Sequence, residues 1–358
     1  MTTTAMMMSP KARLVLLAAL FAAVGALVYG LASHPGDVDT TLPIGVSAKG
    51  TALTALTDSR SCRPCHPAIY AEWSESWHGK AWTEPEVRLL SENFKNKDCI
   101  PCHAPRPISE TGLGERVLAR LDRRPEGVDC LSCHAGKDGM IGPRGAVGSR
   151  TRWPDACDPV RAPEFISDMR LCLPCHNQHK THDEWQASPF FAKGEDCNDC
   201  HMPLVAGEAT IGSTTRTEHR SHVYLGGHHP DFVRAAIRFS ARVEKDDDGS
   251  ARAIVVVRNE GAGHNFPTDS RNRAADVTWS ALNEGGFEVG SGQAHRFRNP
   301  YITEIDKVNT QLPSGEEKRV EVDLPPGPGT AVLRLMYRHN PFEKDEDSVV
   351  LYQERIKY

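Results

Sequence analysis

Cysteine is absent before residue 62 and after residue 200 of this 358-residue chain. With none beside the apolar N-terminal stretch, a lipoprotein anchor on cysteine is excluded. Basic charge is not in excess: 42 Lys and Arg against 47 Asp and Glu give a formal net charge of −5. No basic footprint therefore points to nucleic acid. Aromatic residues make up only 7 %, beside 29 Gly and 25 Pro, which is thin material for a side-chain core in the cysteine-bearing half. The C-terminal part lacks both a phosphate-binding loop and a nucleophile–base pattern.

What is present is one pattern five times: Cys62-Arg-Pro-Cys65-His66, Cys99-Ile-Pro-Cys102-His103, Cys130-Leu-Ser-Cys133-His134, Cys172-Leu-Pro-Cys175-His176 and Cys197-Asn-Asp-Cys200-His201. C-x-x-C-H is the attachment pattern of c-type haem. Two cysteines three apart lie on one side of a helical turn, so both sulfurs reach the vinyl groups of one porphyrin. The adjacent histidine then supplies the proximal imidazole to iron. The five matches take ten of the eleven cysteines. Structural zinc takes four ligands from a closed Cys/His set, and disulfides give no reason for a histidine after every second cysteine. The expected cofactor is therefore haem c, five copies, covalently attached. With so few large side chains, the porphyrins are expected to form most of the core in this region, and the apoprotein is expected not to fold. The odd cysteine, Cys157, has no partner at the right spacing and reads as a buried, inert thiol.

Residues 14–32 form an uncharged apolar run behind Lys11 and Arg13. The run is long enough to span a bilayer and longer than a usual signal h-region. Its basic flank places the N-terminus in the cytoplasm. Residues 1–33 are thus expected to form an N-terminal transmembrane helix that anchors the chain on the periplasmic side of the cytoplasmic membrane. A cleaved signal that releases the chain to the periplasm is the alternative. Residues 34–58 are small, polar and punctuated by Pro and Gly, and read as a linker. Residues 59–234 make the haem-bearing domain and residues 235–358 a second domain.

Helices are expected over 67–82, where Tyr70, Trp73 and Trp77 form one stripe, over 84–93, and over 115–121. Residues 135–163, rich in Gly and Pro, are expected to be loop. A low-spin haem takes a second axial ligand, and eleven histidines lie outside the motifs. His78 follows directly on the aromatic stripe and is a distal candidate. His179 and His182 follow the fourth motif; His219, His222, His228 and His229 cluster after the fifth. His179 and His228 are taken from these clusters as metal ligands.

From about residue 235 apolar and polar residues alternate: Ile237, Phe239, Ala241 and Val243 against Arg238, Ser240, Arg242 and Glu244. About seven short strands with polar turns point to an antiparallel β-sandwich. Within it, Gly261-Ala-Gly263-His264-Asn-Phe266-Pro267 stands out. A histidine flanked by glycines approaches another surface closely, so His264 either caps a turn or reaches a haem as a distal ligand; the second is taken.

The stretches SCRPCHPAIYAEWSESWHGKAW, GVDCLSCHAG and CNDCHMP resemble the multihaem cytochrome c family. That group contains the tetrahaem electron acceptor of hydroxylamine oxidoreductase and is related to the pentahaem nitrite reductases and octahaem oxidoreductases. SHVYLGGHH resembles its distal-ligand loop, which implies His222 as a haem ligand. The GHNFPT stretch with a following β-domain resembles the C-terminal region of other multihaem cytochromes. The resemblance covers roughly residues 60–340. Departures matter too. All five motifs end in His, where the pentahaem nitrite reductases carry a lysine in their catalytic motif. The motifs are too few for octahaem hydroxylamine oxidation. Phe190-Phe191 stand where the related proteins often have a histidine, which leaves room for a five-coordinate haem.

The expected fold is mainly α, a haem-packed multihaem cytochrome domain followed by the β-sandwich. The function it implies is electron transfer between a donor and an acceptor protein of a respiratory chain, through closely packed bis-His haems. The alternatives are a reductase of a nitrogen or sulfur oxyanion with one open haem, and a module whose sandwich docks a partner. Catalytic residues and oligomeric state are not legible in the sequence.

Overall fold

Proline and polar caps cut the motif-bearing half into short helices. The computed structural model describes residues 57–136, 139–142, 160–161, 163–211, 217–268 and 271–358. Pro67 opens α1 (Pro67–Glu75), as proline does at a helix start. Ser76 ends it: its backbone turns extended, and its hydroxyl accepts from Gly79 N to open α2 (Trp77–Lys80). The helix expected over 67–82 is therefore two. Next come α3 (Pro85–Leu90), α4 (Ile100–His103), α5 (Cys130–His134) and α6 (Pro163–Ser167). They are followed by α7 (Leu173–His176), α8 (Thr181–Gln186), α9 (Pro189–Lys193), α10 (Cys197–His201) and α11 (Pro230–Ala236).

The C-x-x-C-H motifs thus coincide with helical turns. Capping boxes, Asp129 with Ser132 and Asp196 with Asp199, start α5 and α10. The helix expected over 115–121 does not form. Gly112 and Gly114 hold positive φ, and the segment runs extended beside 104–106, with Arg106 N donating to Leu118 O and Arg120 N to Ala104 O. Where loop was expected, β1 (Ala135–Gly136) pairs with β2 (Gly139–Gly142), and β2 with β3 (Val160–Arg161). Cys157 lies outside the described residues. Strands β4 (Leu204–Ala206) and β5 (Glu218–Arg220) form a small ribbon.

The C-terminal part has seven strands in two antiparallel sheets. They are β6 (Ile237–Lys245), β7 (Ala251–Asn259), β8 (Ala274–Asn283), β9 (Glu288–Arg298), β10 (Glu317–Asp323), β11 (Gly329–Arg338) and β12 (Val349–Lys357). One sheet has the order β10-β7-β6, the other β12-β11-β8-β9. Their inner faces share one core, in which Val255, Val257, Val277, Leu333 and Leu335 are fully buried. Among the described residues, the motif half has only one small apolar cluster, Phe94, Ile100 and Ala104, with Trp82 stacked on Phe94.

The expectation of a mainly α chain is overturned. The described structure is about 29 % helical and about 30 % strand, in several sheets. The helices are cut to between four and nine residues, whereas the strands of the sandwich run from seven to eleven. The expected transmembrane helix gains no support either: among the described residues no helix is long and apolar enough to cross a membrane. Residues 14–32, on which that expectation fell, lie outside the described residues.

Candidate haem-binding sites

Four of the five motif histidines are held in the same way. His66 Nδ1 lies 2.6 Å from Ala209 O, His103 Nδ1 2.8 Å from Ala81 O and His134 Nδ1 2.8 Å from Ile141 O. His201 Nδ1 is bonded likewise to Leu225 O. A histidine that gives its Nδ1 proton to a carbonyl keeps Nε2 as a bare lone pair, the arrangement metal-bound imidazoles adopt.

Three motif histidines are faced by a second ring. His78 stands 6.0 Å from His176, His222 6.3 Å from His134, and His264 6.2 Å from His201, centre to centre. A metal–imidazole bond is about 2 Å, so two rings on opposite sides of one iron have centres about 6 Å apart. The outer histidines come from three places in the chain: α2, the loop after β5, and the β7–β8 loop of the sandwich. His103 has instead the Phe94 ring at 5.7 Å.

These imidazoles are kept neutral. Burial, with the neighbouring His176, pushes His78 down to about 3. Burial, with His134 close by, lowers His222 to about 4. His103, His134 and His201 are likewise lowered by burial. A histidine must be unprotonated to bind a metal, so burial prepares the ligand.

Two carboxylates that sequence reasoning missed place the outer ligands. Glu72 of α1 accepts from His222 N at 2.7 Å and lies 3.1 Å from His219 Nε2. Glu184 of α8 accepts from Asn265 N at 3.1 Å, Asn265 Nδ2 at 2.8 Å and Thr268 Oγ1 at 2.9 Å, and so pins the His264 loop to the motif half. Gly263 allows that approach: a Cβ there would press on Trp185 and Phe190. Both glutamates resemble ordinary exposed helix residues in sequence, so no signal marked them.

The remaining histidines lie elsewhere. His228 gives its Nε2 to Arg273 at 3.0 Å and stacks between Trp77 and His339. The structure therefore turns its Nε2 to a guanidinium rather than to a motif histidine. His179 is half-buried in the turn between α7 and α8, and His182 packs on Trp185. His219 is buried on Glu72, and His229 accepts from Gly226 N at the start of α11.

The motifs touch one another in a continuous series. The Cys62 and Cys130 thiols lie within hydrogen-bonding reach of each other, as do those of Cys172 and Cys197. Gln178 Nε2, after the fourth motif, reaches Cys102 Sγ of the second at 3.1 Å. Tyr224, half-buried and held at φ 55°, packs on both His78 and His222, and desolvation raises its hydroxyl well above the usual range. It thus joins the third site to the fourth.

The residues fit covalent haem. The ten motif cysteines are not in disulfides, and among the described residues no group of three or more His, Cys, Asp or Glu is placed to hold a bare metal ion. The ligand pairs have the spacing of an axially bound iron, and the sparse side-chain core leaves the interior to be filled by another group. Residues 61–135 match the family of cytochrome c554 and c-prime. The fold is similar to that of a penta-heme cytochrome c552 from Thermochromatium tepidum: TM-score 0.64, 21 % identity, covering 85 % of this chain and 99 % of that one. The first finding supports kinship with multihaem cytochromes c over residues 61–135, and the second shows a likeness of fold. A putative ApaA protein from Bordetella pertussis also matches, at TM-score 0.18 and 13 % identity, over 33 % of this chain and 89 % of that one. No curated protein matches the chain in sequence.

Proposed function

We propose that this multihaem cytochrome is a periplasmic electron carrier with five haems c, which takes single electrons from a donor protein and passes them to an acceptor protein. When bound, each haem supplies a one-electron ferric/ferrous couple. The ten motif cysteines would hold the porphyrins, and His66, His103, His134, His176 and His201 would be the proximal ligands. His78, His222 and His264, facing His176, His134 and His201, would supply a second histidine ligand at the fourth, third and fifth sites. Backbone carbonyls fix the ring orientation of His66, His103, His134 and His201, and burial keeps His78, His103, His134, His201 and His222 neutral. The observation that carries the proposal is the three facing histidine pairs at 6.0, 6.3 and 6.2 Å, set within a continuous series of motifs. A transfer protein needs closed axial positions and neighbouring cofactors; a catalyst needs an open one.

The second reading, a reductase of a nitrogen or sulfur oxyanion, rests on His103, whose ring has Phe94 rather than a histidine against it. One preparation separates the two. Pyridine haemochrome against protein concentration should give five haems per chain, and carbon monoxide added to the ferrous protein should alter at most the first and second sites. A carbon monoxide response from three or more haems would break the carrier proposal. A response from one, together with turnover of nitrite, hydroxylamine or sulfite, would favour the reductase.

A further inference from the structure

One surface cleft opens beside the His78–His176 pair. It has a volume of about 630 Å³ and lies between α3 and the loop after β11. Trp77, one residue before His78, lines it. The His228 and His339 rings, which also line it, stack in series on Trp77 at 3.5 and 4.4 Å, fixed by Arg273, which donates to His228 Nε2 and His339 O. At the mouth stand two strongly exposed apolar side chains, Leu89 at 76 % and Phe342 at 68 %. Around them are Glu86, Glu343 and Asp347, and no Lys or Arg is among the described residues that line the cleft. Glu343 accepts from His339 N and Asn340 N, so its carboxylate is fixed at the rim. Lys344, close by in sequence, is paired with Glu346.

We propose that this cleft is the docking site of a small basic one-electron carrier. An apolar centre within a charged rim is the anatomy of a protein interface. Redox encounters use small interfaces, below about 1,200 Å², and rely on opposite charge to steer approach. Three carboxylates without a lining cation select a lysine-rich face. The stacked Trp77 gives the docked protein a short covalent route to His78. In each transfer the chain loses one electron and the carrier's ferric iron gains it.

The inference rests on the electron-carrier proposal, and the experiment separates the two. The probe is a lysine-rich monohaem cytochrome c. With both proteins ferric, calorimetry gives the dissociation constant; with the chain pre-reduced, stopped flow gives the rate of carrier reduction. Glu86→Lys with Asp347→Lys should weaken binding and slow transfer about tenfold at low salt, and remove most of the decline with ionic strength. Glu288→Lys, on β9, should change neither. Oxidation of the reduced chain by a small uncharged quinone should be the same in all forms. Unchanged binding and rate in the double variant would overturn the docking site while leaving the carrier proposal intact. If Phe342→Ser alters sedimentation of the chain alone and not its affinity for the probe, the cleft seats a second copy, and the proposal also fails. If neither quinone nor carrier oxidises the reduced parent, the carrier proposal itself falls.

Discussion

Glu184 shows how a single side chain governs a distant ligand. Its carboxylate accepts three hydrogen bonds from Asn265 and Thr268, on either side of the cis Phe266–Pro267 bond. Bonds to a charged acceptor contribute about 1.5–3 kcal/mol each. In Glu184→Ala the His264 loop should loosen, so the reduction potential of one haem should shift and part of its low-spin signal be lost; potentiometric titration with spectral monitoring reads both. Glu184→Gln should retain part of the effect. His228 makes a different prediction. Burial, with Arg273 beside it, lowers its pKa to about 3, against an ordinary value near 6.5. The unfolded chain therefore takes up this proton as pH falls below about 6.5, while the folded chain does not until about 3, so stability is lost across that window. His228→Gln should show a shallower fall in Tm between pH 6 and pH 4. An equal slope in variant and parent would contradict the assignment. At this scale the motif cysteines and histidines were legible because their spacing is chemistry. That His228 Nε2 meets Arg273 was not legible, because the two lie 45 residues apart.

At the scale of elements, the turn that presents His78 is held by two features. Ser76 breaks the helix, and Gly127, at φ 61°, passes so close that a Cβ would run into His78 O and lie 2.9 Å from Gly79 O. Gly127→Ala should therefore cost about 1–3 kcal/mol and disturb the His78–His176 site alone. Thermal melting and the optical spectrum together test this. If every haem changes, the turn is not local in its effect. Periodicity revealed most strands of the sandwich, because alternation reports directly which face is buried. It overstated the helices. The stripe Tyr70, Trp73 and Trp77 continues the helical period across Ser76, yet the serine's own cap decides where the helix stops. Strand β9 gives no such alternation, because its first half, Glu288 to Gln293, carries almost no apolar residue.

The whole molecule joins two kinds of interior. The sandwich has a dry side-chain core and one buried charge cluster, in which Asp276 accepts from Arg296 and Arg338. Asp276 is fully buried, and Asp276→Ala takes the shared carboxylate from two guanidinium groups, of which Arg338 keeps Asp345 and Arg296 keeps Pro341 O. That should destabilise the sandwich by about 3–5 kcal/mol, measured by chemical denaturation of the holoprotein, with the motif-half absorption intact until unfolding. The motif half is organised around ligands from every part of the chain, and that organisation was only partly readable. His78, His222 and His264 were marked by position and resemblance. Which motif each one faces depends on long-range contacts that no local pattern encodes.

The facing pairs are the centre of the proposal, and spin state tests them most directly. Ferric electron paramagnetic resonance on the parent and on His78→Ala, His222→Ala and His264→Ala should show the following. Each variant should convert one haem in five from low to high spin, a different one each time, and leave the other signals in place. Variants that keep the parent spectrum, or that all change the same haem, would contradict the ligand pairs and with them the closed, bis-histidine sites on which electron transfer is proposed.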